Sequence, residues 1–180
     1  TTPIQAMEDA KSAIRFLRLN AKSFFINPNR IAAAGGSAGG HLAAVTANID
    51  LFDNVNEDLG ISSKPNLLVL YNPVIDLGSR KWLWIDNPLD ASPVHNISND
   101  SPPTIILTGT KDKIVPVETI MNYKKTMESV GSRCDVILYE GAEHAFFNKG
   151  EDFIDTVLKS DIFLKSNWYL EGTPTIKQQY

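Results

Sequence analysis

The chain has 180 residues, 43% of them hydrophobic and 21% charged, with a formal net charge of −4. That balance suits one globular domain with a sizeable core and is too apolar for a disordered chain; with no basic run in it, the net charge argues against nucleic acid as a main partner. The single cysteine, Cys134, rules out a disulfide within the chain, and no apolar run approaches the roughly 18 residues of a membrane span.

The chain opens on a helix signal. Thr2 and Gln5 have capping-box spacing, and Pro3 sits at the first helical position, where its missing N–H costs nothing. Met7, Ala10, Ile14 and Leu17 recur at steps of three and four and predict an amphipathic helix ending near Asn20. After a turn at Asn27-Pro28-Asn29, the apolar run Ile31 to Ala34 reads as a short strand. Gly35-Gly36-Ser37-Ala38-Gly39 follows, a match to G-x-S-x-G, and the run Leu42 to Ala47 after it reads as a helix. A serine in such a strand-to-helix turn projects its hydroxyl out of the sheet. Glycines two residues to either side are expected where the two backbones crowd and a Cβ would clash. The helix start just beyond Ser37 aims free N–H groups at the same spot, so a developing negative charge can be held there. No Gly-Lys-Ser/Thr follows, which excludes a P-loop.

A polar, acidic loop then runs through Asp58 and Gly60 to Pro65. Asn66 to Tyr71, Thr104 to Thr108 and Cys134 to Tyr139 are continuous apolar runs of the kind that forms strands buried on both faces. Pro116 and Gly131 bracket a helix with Ile120, Tyr123, Met127 and Val130 on one face. A last helix, from about Asp152 to Trp168, carries Phe153, Val157, Leu158 and Leu164. Helices alternating with buried strands predict an α/β fold with a parallel sheet of four strands and a site at their carboxyl ends. The stretch 72–103 is too long for an ordinary connector and reads as a substrate-facing flap, while 171–180, with Gly and Pro and no period, reads as a loose tail.

A serine hydroxyl is a poor nucleophile at neutral pH, so it needs a base within reach, and the base needs an orienting carboxylate. Of the three histidines, His144 follows the last strand at the correct end of the sheet and is the leading candidate. His95 lies in the flap, and His41 sits four residues past Ser37 on the elbow helix, where a partly buried residue bonded to neighbouring backbone is the simpler reading. For the carboxylate, Asp112 comes just after the strand Thr104 to Thr108, and Asp76 occupies the equivalent loop one strand earlier. Asp135 starts its strand and so lies at the wrong end. Trp82, Trp84 and Phe146 are candidate substrate contacts, Trp82 and Trp84 because flap aromatics can stack on a sugar or aryl ring or wall off a short acyl pocket.

Three motifs in order give the chain a resemblance to the α/β-hydrolase esterases, in particular the acetyl esterase and acetylxylan esterase-like branch related to hormone-sensitive lipase. Gly35 to Ala43 resemble its elbow, G-G-S-A-G-G-H-L-A; Gly109 to Pro116 its acid loop, G-T-x-D-x-x-V-P; and Tyr139 to Phe146 its histidine loop, Y-E-G-x-x-H-x-F. The resemblance implies the α/β-hydrolase fold, with Ser37 as nucleophile, Asp112 as acid, His144 as base and the Ala38 N–H in the oxyanion hole. It implies no metal or organic cofactor, and no Cys/His cluster suggests one. The family also carries an H-G-G motif and several strands ahead of the elbow, which this sequence does not contain. Residues 1–170 are therefore expected to be the C-terminal portion of one catalytic domain, its first strand completed by an upstream part of the same protein or by a second copy.

The reading that follows is a serine carboxylester hydrolase acting on short, acetyl-type esters of small molecules or carbohydrates. An oligopeptidase or arylformamidase would use the same triad, and a catalytically silent scaffold is the alternative of another class.

Overall fold

The computed structural model describes residues 2–78 and 85–176. In chain order these form α1 (Pro3–Leu19), β1 (Ala32–Gly36), α2 (Ala38–Asn48), β2 (Leu67–Tyr71), β3 (Thr104–Gly109), α3 (Val117–Ser129), β4 (Cys134–Tyr139) and α4 (Gly150–Ser166). The strands make one parallel sheet in the order β1-β2-β3-β4. This is the α/β layout that the alternation of helices and apolar runs predicts.

The alternation of side chains along each strand explains why those runs are apolar throughout. Leu68, Leu70 and Ile106 pack with Ala43, Ala44 and Ala47 of α2 and with Ile120, Tyr123 and Met127 of α3 on one face. Leu67, Val69, Ile105 and Leu107 pack with Phe146 and with Phe163 of α4 on the other. In β2 and β3 neither face meets water, whereas β4 at the edge is only partly covered and carries Asp135 and an exposed Leu138. β1 reaches two residues further than its apolar run, because Gly35 and Gly36 continue the ladder opposite Leu70 and Tyr71.

α1 begins at the predicted capping box, with the Gln5 N–H donating to Thr2 Oγ1 (3.2 Å) and the Thr2 N–H to Gln5 Oε1 (2.9 Å). Its buried face differs from the expected stripe, since Lys11 and Arg15 are buried beside Met7 and Ile14. Lys11 Nζ donates to the carbonyls of Ile49 (2.9 Å) and Leu51 (2.7 Å), and Arg15 Nε to that of Ile61 (2.9 Å). Both cations also pair with Asp53, and Arg15 with Glu57. Burial works to raise the Asp53 carboxyl, but the bonds from Arg15 and Lys11 outweigh it and hold the group below its usual range. The acidic loop after α2 is thus tied to the first helix by charge and by bonds to its backbone carbonyls.

α4 also presents a different face from the one expected. Thr156, Ser160 and Phe163 are buried, whereas Phe153 is exposed. The hydroxyls fit inside because each has a partner: Ser160 Oγ lies 2.8 Å from Tyr71 Oη, and Thr156 Oγ1 donates to the Phe153 carbonyl at 2.9 Å. Part of the 72–103 stretch is firmly docked, through short 3-10 turns at Pro88–Ala91 and Pro93–His95. Val94 N–H donates to Ile75 O (3.0 Å) and Leu77 N–H to Ser92 Oγ (2.6 Å), and Ile75, Leu77, Ala91 and Val94 are buried. Among the described residues no helix is long and apolar enough to cross a membrane.

Candidate active site

Ser37 is the single residue between β1 and α2. Its backbone sits at φ 53°, ψ −118°, a conformation L-residues rarely adopt and one that costs about 1–3 kcal/mol. Neighbouring backbone holds it there. The Ser37 N–H donates to Tyr71 O (2.9 Å), and its carbonyl accepts from the N–H groups of His41 (3.0 Å) and Val74 (3.2 Å). The strain therefore aims the hydroxyl rather than relaxing it away.

The glycines around the turn are not equivalent. A Cβ on Gly35 would lie 2.3 Å from the Gly39 carbonyl oxygen, and one on Gly40 would lie 2.8 Å from Pro73 Cβ. A Cβ on Gly39 would meet nothing within 4 Å. The crowding is real on the strand side and at Gly40, and the symmetric expectation fails at Gly39, whose Cβ direction points to open space. Gly35→Ala is accordingly expected to destabilise the fold by about 1–3 kcal/mol, since the obstacle is backbone that cannot swing aside. Gly39→Ala should stay within about 0.5 kcal/mol of wild type. Urea unfolding of the two variants compares them directly, and equal losses would refute the assignment.

His144 lies in the loop after β4, with Nε2 2.8 Å from Ser37 Oγ and Nδ1 2.7 Å from Asp112 Oδ2. A carboxylate facing Nδ1 places the ring proton there and leaves the Nε2 lone pair toward the serine. The Asp112 side chain is fully buried and the His144 side chain is 19% exposed. Asp112 Oδ1 accepts from the N–H groups of Ile114 (2.8 Å) and Val115 (2.9 Å), so only Oδ2 is left for the histidine. The acid and histidine loops are stitched together beneath this pair. Thr110 N–H donates to Tyr139 O, Lys111 N–H to Ala142 O (both 2.9 Å), and Gly141 N–H to Thr110 Oγ1 (2.8 Å). Gly109 permits that approach, because a Cβ there would lie 2.3 Å from the Ala142 carbonyl.

The other candidate acids and bases lie elsewhere. His41 Nε2 is 2.8 Å from the Ala91 carbonyl, to which it donates. Burial pushes its pKa down, against the smaller opposing pull of that bond, so it is a neutral clip between α2 and the turn at Ala91. His95 and Asp76 are partly exposed and 3.9 Å apart, and Asp76 Oδ1 accepts from the Gly78 N–H (2.8 Å). Phe146, expected as a substrate contact, is buried in the core on the α4 side of the sheet, its ring centroid 4.6 Å from that of Tyr139, and does not line the cavity at Ser37. Its neighbour Phe147 packs on Tyr71 and closes the space beside Gly36 instead. Trp82 and Trp84 lie outside the described residues.

Ser37 and Ala38 open onto a cavity of about 480 Å³ walled by Met7, Leu42, Val74, Leu77, Ile85 and Ile114. Ala38 is the first residue of α2, so its N–H has no carbonyl four residues back within the helix. A wider groove of about 870 Å³, between Arg18, Asn66 and Pro103, holds none of these residues. One residue beside the site was not among the candidates: Asn72, at the end of β2, is buried and contacts His144.

A parallel sheet with a strained serine between its first strand and the following helix, met by a histidine from the loop after its last strand, defines an α/β-hydrolase. Residues 5–169 match the prolyl oligopeptidase family, to which this chain belongs. The apo structure of Thermogutta terrifontis esterase 2 superposes with a TM-score of 0.89 at 38% identity, covering 96% of this chain and 69% of that one. The acetylxylan esterase of Xylanibacter ruminicola is 28% identical over 187 residues, 94% of this chain and 36% of that protein. Esterase LipC of Mycobacterium tuberculosis is 29% identical over 161 residues, covering 77% of this chain and 40% of that protein. The chain thus spans little more than a third of the length of these curated relatives.

Proposed function

We propose that the protein is a serine carboxylester hydrolase. The observation that carries the reading is the unbroken chain from Ser37 Oγ through His144 to Asp112, at 2.8 and 2.7 Å, opening on an apolar cavity. Ser37 Oγ attacks the ester carbonyl carbon while His144 Nε2 takes its proton. Asp112 holds the ring tautomer and stabilises the imidazolium that forms. The Ala38 N–H donates to the oxygen that becomes negative. The imidazolium then returns its proton to the alcohol oxygen as the C–O bond breaks, and water, deprotonated by the same nitrogen, releases the acid from the acyl-serine.

The substrate class we infer is a short-chain, acetyl-type ester, including esters on carbohydrate. Two relatives support it. Thermogutta terrifontis esterase 2, 38% and 36% identical to this chain, has been solved with propionate and with butyrate bound, and the Xylanibacter ruminicola relative is an acetylxylan esterase. A cavity of about 480 Å³ at Ser37 favours a short acyl chain, which leaves more room for the alcohol than a long one. Acetyl and butyryl p-nitrophenyl esters are expected to show at least about 10-fold higher kcat/KM than the palmitoyl ester. Faster turnover of the palmitoyl ester would overturn the substrate class. Labelling of Ser37 by a fluorophosphonate tests the enzymatic reading itself, and failure to label would favour a silent scaffold. A proline p-nitroanilide in the same panel separates an esterase from a peptidase.

A further inference from the structure

Asn72 follows the last residue of β2 and precedes Pro73. It is fully buried and sits at φ 32°, a left-handed conformation that Asn tolerates better than most residues and that its N–H bond to Leu107 O (2.8 Å) helps to fix. Its side chain has two contacts. Oδ1 accepts from the N–H of Ala145 (3.2 Å), the residue after His144, itself at φ 65°. That N–H can only donate, so it settles which end of the carboxamide is oxygen and turns Nδ2 toward the imidazole. Nδ2 lies 3.2 Å from Nδ1 and 3.4 Å from Nε2 of His144. Both ring nitrogens already have their partners, Asp112 and Ser37. An atom nearly equidistant from both would overlap Cε1 if it lay in the ring plane, so Nδ2 lies against the face of the ring.

We propose that Asn72 is a positioning residue for the base, its carboxamide clamping the face of the His144 ring while its oxygen anchors the His144–Ala145 backbone. This rests on the reading of His144 as the base for Ser37. The need for such a clamp follows from the reaction. The imidazole χ2 torsion is soft, and the bond to Asp112 is a single pivot about which the ring can swing. The Ser37 contact cannot restrain it, because that contact breaks as Oγ moves onto the substrate. A face contact from β2 is independent of both, and it ties the ring to the strand between the nucleophile and the acid. The groups facing the ring are Ser37 from the elbow, Asp112 from the loop after β3 and Asn72, and among the described residues Asp112 is the one charged group within ion-pair distance.

Asn72→Ala removes both contacts and is expected to lower kcat by about 10–100-fold with KM within about 2-fold of wild type. Asn72→Asp keeps an oxygen for the Ala145 N–H but puts a carboxylate where the N–H faced the ring. It should move the acid limb of the kcat/KM profile upward by about one pH unit, which loss of a remote structural contact would not do. In the proton NMR spectrum, the deshielded Nδ1–H resonance of His144, assigned by its loss in His144→Gln, should weaken or vanish in Asn72→Ala. A folded Asn72→Ala with kcat within about 2-fold of wild type, or an Asn72→Asp with an unmoved profile, would overturn the proposal. Should Asn72→Ala fail to fold, the pH profile of Asn72→Asp decides. If the wild type neither turns over esters nor labels at Ser37, the esterase reading fails by itself. The NMR comparison then decides: loss of the resonance sustains the clamp and its retention refutes it.

Discussion

Ser37→Ala is expected to lower kcat for p-nitrophenyl acetate by about 10⁶-fold and to leave the unfolding midpoint nearly unchanged. The two halves of that expectation have separate physical grounds. Chemistry is lost because the acyl-serine cannot form and His144 is left with no hydroxyl to deprotonate. Stability is nearly kept because the Ser37 hydroxyl makes no capping bond to α2, and the one bond lost, to His144 Nε2, leaves a nitrogen on a partly exposed ring that water can reach. The backbone bonds that hold the turn run through the N–H and carbonyl of residue 37, and alanine retains both. A residual rate above that of water would remain, because the Ala38 N–H and the cavity still bind the reacting ester. Activity within 100-fold of wild type would mean that another group carries the reaction.

The elbow and both loops were legible because each motif is local. A Gly-Gly-Ser stretch between a strand and a helix, an aspartate just past one strand and a histidine just past another are positions that chain order alone supplies. The parallel strands were legible for the same reason, most clearly β2 and β3, whose continuous apolar runs are covered on both faces. What was not legible depends on contacts across the fold. Lys11 and Arg15 fall outside the apolar stripe of α1, yet they are buried under a loop that begins some 38 residues further on and brings its own carbonyls and carboxylates. Phe146 was a candidate substrate contact, but the left-handed turn at Ala145 directs the chain into a 3-10 turn that lays it on the sheet. Gly39 read as indispensable by its place in the motif, although Gly35 and Gly40 carry the close approaches. Asn72 offered only a polar residue at the end of an apolar strand, and its partner lies 72 positions away in sequence.

Asp112→Asn is expected to lower kcat by about 10⁴-fold with the fold intact, and the hydrogen bonds around the carboxylate explain the size of the loss. Oδ1 is committed to two donors, the N–H groups of Ile114 and Val115, at 2.8 and 2.9 Å. An asparagine must therefore turn its carbonyl oxygen toward them and present its NH2 to His144 Nδ1. Facing a donor, Nδ1 has to become the acceptor, which moves the ring proton to Nε2 and leaves no lone pair for the Ser37 hydroxyl. The negative charge that would stabilise the imidazolium disappears in the same change. Asp76→Asn is the control, because Asp76 is partly exposed, binds the Gly78 N–H and faces His95 rather than His144. It should leave kcat within about 2-fold of wild type. Were Asp76→Asn the more damaging of the two, the acid would have been placed one strand too far along the sheet.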